Sequence, residues 1–327
     1  MAASLPTGVK KKAKKPHPVR DWILYALLRI VVVLVNAFPA ETNLRTARFM
    51  GRVVWKRYER GRQRAMENLR ASFPDKDEEW IEQTGRKSFE SLLMLTMDIL
   101  MAPRIVRKDN WRSYCRFSGT ERAKWMIKEH KGMLLLTAHY GNFELAGYLL
   151  GMFGFDIYSV ARPLDNRYIN DYLFGIRQSK GQKLIIKKGA SSMMEEVVAQ
   201  GAALGFIADQ DAGRKGVFVD FFGRKASTYK SIGLLAMMRN VPVAVGCCRR
   251  VDRRFFFDIE IERIIMPEEW ADKPDPLQWV SQEYTSAIER FIRKDPTQYW
   301  WMHRRWKTQP RSGQLAPEQS AGAVERS

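Results

Sequence analysis

Residues 132–150 read GMLLLTAHYGNFELAGYLL. Residues 133–138 form a short, unbroken apolar run behind Gly132, the pattern of a strand covered on both faces. Residues 143–150 then read as a helix. The same alternation continues along the chain. Strands are expected at 156–160, 183–186, 203–207, 241–247 and 255–261, and helices at 166–179, 192–200, 229–239 and 276–294. Strands separated by helices imply an α/β fold, a mainly parallel or mixed central sheet flanked by helices. Sites in such sheets form at the C-terminal ends of strands, and His139 stands at such an end. Glu144 follows at the start of the next helix, with Gly141 able to turn one toward the other. A carboxylate on one ring nitrogen fixes the imidazole tautomer and leaves the other nitrogen as a general base. The spacing alone serves a buried structural histidine as well.

Composition narrows the classes. The chain has 327 residues, 55 Lys+Arg against 36 Asp+Glu, a formal net charge of +19 and 45% hydrophobic residues. That is ample for a core and excludes disorder. Three cysteines (Cys115, Cys247, Cys248) in no metal-ligand spacing argue against a disulfide framework and against zinc. No serine sits in a G-x-S-x-G setting, so a histidine base would activate a substrate nucleophile rather than one of the enzyme.

The N-terminal third suits a membrane. Six Lys/Arg and no acid occupy residues 1–20, and behind them residues 22–38 read WILYALLRIVVVLVNAF. As a helix these 17 residues reach roughly 25 Å, a little short of a ~30 Å hydrocarbon core. Arg29 at mid-span would cost about 2.5–3.5 kcal/mol on insertion scales. Both a short spanning anchor and a deeply seated in-plane helix remain open, as does a helix buried in the core. Residues 43–71 read as one basic amphipathic helix, broken at Ser72-Phe73-Pro74-Asp75, and 78–101 as a second helix ended by Pro103. The expected organisation is a basic tail (1–20), a membrane-anchoring helix (21–39), a catalytic domain (40–310) and a disordered tail (311–327). Nucleic acid is disfavoured as the partner of the positive charge, because no reading motif is recognisable.

HYGNFE at 139–144 resembles the His-x4-Asp/Glu signature of glycerolipid acyltransferases, and the wider pattern resembles their bacterial lipid A branch, the late lauroyl/myristoyl acyltransferases. The blocks that carry the resemblance are NLRASFP (68–74), HYGNFE, ARPLDN (161–166), ADQ (208–210), GVFVDFFG (216–223) with Thr228, and QYWWMHRRWKTQP (298–310). Tyr140 and Phe143 replace the family's frequent Phe and Trp, and Asp220 its proline. The Phe-Pro-Glu-Gly block of enzymes acting on glycerol phosphates is missing. The resemblance implies an acyltransferase fold with a membrane-anchoring helix, at the bacterial inner membrane with the catalytic domain on its cytoplasmic face. It implies transfer of a fatty acyl group from acyl carrier protein to a hydroxyl of a lipid A precursor, with neither cofactor nor metal. His139 would be the base and Glu144 its orienting acid. An acceptor of another glycolipid class, or a non-catalytic membrane-surface role, stays open.

Other residues take provisional places beside these. Backbone amides of Gly141 and Asn142 are candidate oxyanion donors. Arg162, Arg177, Arg249 and Arg250 are candidate anion ligands, and Asn166, Asp209, Gln210 and Thr228 candidate substrate contacts. Phe218, Phe221 and Phe222, with turns at Gly216 and Gly223, are a candidate acyl slot. His303, Arg304 and Arg305 form a cationic cluster expected at the acceptor site or membrane rim. Surface ion pairs, turn caps and ordinary core packing are the alternatives for all of these.

Overall fold

The computed structural model describes residues 17–129, 131–161, 163–186 and 191–311. The expected disordered tail beyond residue 311 and most of the basic tail therefore lie outside the described residues, as does Arg162.

Four helices come first: α1 (Pro18–Ala37), α2 (Ala40–Arg57), α3 (Glu59–Ser72) and α4 (Glu78–Ile105). The chain then runs β1 (Cys115–Ser118), α5 (Glu121–Lys128), β2 (Met133–Thr137), α6 (Phe143–Met152), β3 (Ile157–Ala161), α7 (Arg167–Gln178), β4 (Lys183–Ile186), α8 (Ser191–Ala199) and β5 (Ala203–Ile207). After a hairpin of β6 (Val217–Phe221) and β7 (Arg224–Thr228) come α9 (Lys230–Arg239), β8 (Val243–Arg250), β9 (Phe257–Ile265), α10 (Pro267–Trp270) and α11 (Pro276–Lys294).

The seven-stranded sheet has the order β1-β9-β8-β2-β5-β3-β4. Every neighbouring pair is parallel except β8 with β9. The apolar run of β2 lies at the middle, paired to β5 on one side and β8 on the other. Successive strand residues face opposite sides. Leu134, Leu136, Ala138 and Tyr140 enter the larger core with Phe291, Tyr284 and Trp301, whereas Met133 and Leu135 join a separate cluster with Ala203 and Ala244. This double burial is the physical meaning of the unbroken run.

Two expectations need correction. The basic helix at 43–71 is two helices, parted at Tyr58 (φ −94°, ψ 72°); the break lets Trp55 on α2 and Ala65 and Leu69 on α3 reach one core. Pro103 does not end α4. The helix continues to Ile105, since burial of Met101 and Ala102 and a bond from the Val106 amide to the Ala102 carbonyl outweigh the missing donor. The turn expected at Gly223 is found: residues 217–228 form a β-hairpin whose two-residue turn Phe222-Gly223 has both φ values positive (52° and 68°). No described helix is long and apolar enough to cross a membrane.

Candidate active site

His139 and its partner are brought together by strand register. The parallel pairing of β2 with β5 sets Thr137 beside Ile207, and the Ala208 amide donates to the Thr137 carbonyl (2.8 Å). Two residues further on, position 139 meets position 209. The Asp209 carboxylate accepts from the His139 backbone amide (3.0 Å) and stands 2.8 Å from His139 Nδ1. Its side chain is wholly buried and that of His139 is 9% exposed. Burial alone would raise the Asp209 carboxyl, but the charge and hydrogen bonds of His139, with His303 behind, outweigh it and hold the group well below the usual carboxylate range. Asp209 is thus an ionised acceptor, which puts the proton on Nδ1 and leaves Nε2 free to accept one.

Glu144, expected to orient His139, is instead clasped by Arg177. The guanidinium engages both carboxylate oxygens, with Nε at 2.8 Å from Oε2. Glu144, at the start of α6, thus meets the end of α7, whereas Nδ1 of His139 is held by Asp209. Arg177 is therefore at the site, though as the partner of Glu144.

The loop between β2 and α6 is fixed from both sides. Gly141 has φ +56°, and a Cβ there would run into the Cys248 carbonyl oxygen, so only glycine fits. Its amide donates to Gln298 O (3.1 Å), and the Asn142 amide to Cys248 O (2.7 Å). Both expected oxyanion donors are consequently engaged. Asn142 caps α6 through Leu145 N and donates from Nδ2 to Asp98 Oδ2 (3.0 Å). Asp98 also pairs with Arg250, which is buried, so the anion that Arg250 meets is this carboxylate of α4, which in turn holds the loop through Asn142. Burial, opposed by Arg250 and Asn142, pushes the Asp98 carboxyl up to about 6.

Beside His139 lie two residues from the C-terminal block. Its ring centroid is 4.3 Å from His303 and 5.1 Å from Trp300. Burial drives the His303 imidazole down to about 4 despite the pull of Asp209, with His139 and Arg305 adding to the fall, so it is neutral at neutral pH. Among the described residues His139, Asp209 and His303 form a group able to hold a cation, their ligand atoms lying within 4.8 Å of one another.

An apolar cavity of about 170 Å³ lies between α6 and the sheet. It is walled by Leu135, Phe143, Leu150, Ile157, Phe206 and Ile261, with the Glu144–Arg177 pair at its border. Gly205 and Gly246 in its wall leave the space open. The expected phenylalanine slot is not this cavity. Phe221 is buried against Trp306, and Phe222 against Phe73 and Trp301; an aromatic hairpin with a tight turn packs its rings inward.

The remaining candidates are scattered. Arg305 is 1% exposed and donates to the Gln210 and Ser227 carbonyls and the Thr228 hydroxyl. It ties β7 to the loop after β5, so Arg305 and Thr228 hold these segments together, because buried carbonyls need donors, while Gln210 takes part only through its backbone carbonyl and is itself exposed. Arg249 pairs with Glu260 (2.9 Å), Asn166 caps α7 and donates to Asp21 O on α1 (2.9 Å), Gly223 completes the hairpin turn, and Arg304 is exposed. Sequence reasoning missed Trp300 and the role of Asp209.

The family model described as bacterial lipid A biosynthesis acyltransferase matches residues 8–308. The chain is 26% identical over 303 residues, 90% of its own length and 94% of the relative's, to the lipid A biosynthesis lauroyltransferase of Escherichia coli K12. It is 25% identical over 249 residues (75% and 78%) to the lipid A biosynthesis palmitoleoyltransferase of the same organism. A third relative, the lipid A biosynthesis acyltransferase of Haemophilus influenzae, is 26% identical over 251 residues (75% and 77%). With a buried histidine–aspartate pair at the sheet's C-terminal edge and a family match over almost the whole chain, this protein belongs to the bacterial lipid A biosynthesis acyltransferases.

Proposed function

We propose that this chain transfers a fatty acyl group from acyl carrier protein to a hydroxyl of a lipid A precursor, at the cytoplasmic face of the inner membrane. The observation that carries this reading is a buried His139, held at Nδ1 by Asp209, beside an apolar cavity of about 170 Å³. That volume is comparable with the roughly 150 Å³ of apolar cavities that bind benzene, so it admits several methylenes of an alkyl tail.

His139 Nε2 takes the proton of the acceptor hydroxyl as its oxygen attacks the thioester carbonyl. The tetrahedral intermediate collapses by breaking the C–S bond, and the departing thiolate takes the proton from Nε2. Product ester and free thiol are formed, and the imidazole returns to its starting state. Neither a covalent acyl-enzyme nor a metal enters this scheme. Asp209 steadies the imidazolium between the two proton transfers. The Glu144–Arg177 pair borders the acyl cavity and sets the shape of its entrance.

Membrane contact rests on α1 and α2. Trp22, Ile23, Leu24, Leu27, Ile30, Val31 and Leu34 are exposed on α1, as are Phe49 and Val53 on α2. Arg29 does not face this arc: it donates to Tyr25 Oη (2.9 Å) and lies 5.2 Å from the Tyr172 ring on α7. In this proposal the apolar arc of α1 seats in one leaflet, with exposed Arg45, Arg52 and Lys56 at the headgroups. An acidic acyl carrier protein and an anionic glycolipid both suit the +19 charge.

The test is direct. Purified protein, an acyl carrier protein thioester and a lipid A precursor should give a product one acyl group heavier by mass spectrometry, and His139→Ala should give none. Unchanged precursor with active wild-type protein and every thioester tried refutes the proposal, and product from another glycolipid acceptor alone would move the chain to a different substrate class.

A further inference from the structure

An acyl transfer of this kind develops negative charge on the carbonyl oxygen, which needs a donor already in place. Several donors near the base are committed elsewhere. The amides of Tyr140, Gly141 and Asn142 donate to the Ala138, Gln298 and Cys248 carbonyls, and the Trp300 amide donates to His139 O. Asn142 Nδ2 is held by Asp98. Thr137 Oγ1, Tyr140 Oη, Tyr299 Oη and Trp300 Nε1 are the buried side-chain donors here without a hydrogen-bond partner among the described residues. Of these residues only Tyr299 and Trp300 line the small cavity with His139, and the Tyr299 hydroxyl interacts with Asp209, which leaves the indole Nε1–H of Trp300.

Its setting suits an oxygen ligand. The Trp300 ring is tilted against both His139 (5.1 Å) and His303 (4.5 Å), which hold its plane. Trp300 lines, with His139, Gly141 and Phe143, a cavity of about 20 Å³, room for a single oxygen atom. Phe143 also lines the 170 Å³ apolar cavity and lies 5.4 Å from the His139 ring. A thioester whose tail fills the larger space and whose carbonyl passes Phe143 would place its oxygen in the smaller one. A buried donor without an acceptor costs free energy in the resting protein, and that cost is relieved only when an oxygen arrives, most fully when it is charged.

We propose that the Trp300 indole N–H is the oxyanion donor of this active site. The inference rests on the acyl-transfer reading and adds to it a catalytic residue that binds the tetrahedral intermediate. The decisive variant is Trp300→Phe, which keeps the ring against both histidines and deletes only the N–H. The expected result is a kcat lowered about 10²–10³-fold, as for removal of an oxyanion-hole donor elsewhere, with KM for the thioester within about threefold and an unchanged melting temperature. Ser91 lines the same small cavity, so Ser91→Ala is the comparison. Should Trp300→Phe fold poorly, indole ¹⁵N spectra of wild-type protein give a second readout: a long-chain alkyl phosphonate, a stable tetrahedral anion, should move one of the 10 tryptophan signals downfield. A mapped Trp300 signal that stays still on saturation overturns the inference. So does a Trp300→Phe enzyme within threefold of wild type, or a large loss in Ser91→Ala alone. Absence of any acylated product from the wild-type protein strikes the acyl-transfer reading instead.

Discussion

Asp209→Asn separates the two acids near the base. Asn keeps the side chain's shape and can still accept from the His139 backbone amide, now 3.0 Å from Oδ2. It loses the charge that faces Nδ1 at 2.8 Å from a wholly buried side chain. With about 4 Å between charge centres and an effective dielectric near 20, the imidazolium loses about 4 kcal/mol of stabilisation. At about 1.36 kcal/mol per decade this lowers kcat about 10³-fold. The assay is initial rate of acyl transfer against thioester concentration, with thermal melting to confirm that the variant is folded. KM should move little, because Asp209 touches neither the cavity of about 170 Å³ nor any of its lining side chains. A folded Asp209→Asn enzyme within tenfold of wild type would refute the assignment of Asp209 as the group that steadies His139.

Four further outcomes are expected. Glu144→Ala and Arg177→Ala should each impair transfer, and the double variant should be little worse than either, giving a coupling of about 0.5–3 kcal/mol in a double-mutant cycle; additive losses would mean that the clasp between them is irrelevant. Gly205→Val should fill part of the apolar cavity and shift preference toward shorter acyl chains, at about 0.8 kcal/mol for each methylene excluded, read from kcat/KM over a series of thioesters. The Asp98 carboxyl rises from 3.8 to about 6 on folding, so its folded state binds the proton more tightly than the unfolded one. Stability from this group is fully present below pH 3.8 and is lost as pH rises through about 6; relative to Asp98→Asn, denaturant titrations should show the wild type losing up to about 3 kcal/mol over that window. Flotation with anionic vesicles should retain the protein at low salt, and Leu27→Glu with Ile30→Glu should release it; vesicle binding that ignores both changes would remove α1 from the membrane contact.

Much of the fold was legible in short-range pattern. The apolar run ahead of His139 marks the central strand, because a strand between two neighbours in a covered sheet has no polar face to show. The helices expected at 276–294 and 229–239 are likewise found, at Pro276–Lys294 and Lys230–Arg239. The turn at Gly223 was legible but the packing of its aromatic residues was not, since they resemble a ligand slot until the rings are seen packed on Phe73, Trp301 and Trp306. The β1 strand, four residues long with mixed burial, carries too weak a pattern to stand out.

The sequence by itself determined the α/β class, the position of a histidine at the end of a buried strand, and the family, because these depend on local periodicity and on blocks of residues in order. Which acid serves that histidine was decided only by tertiary structure. Glu144 is five positions away along the chain yet its carboxylate goes to Arg177, whereas Asp209, 70 positions away, lies in register through the β2–β5 pairing. Proximity in a parallel sheet is set by which strands are neighbours, and that choice is made by burial of the whole apolar surface rather than by any residue near the site.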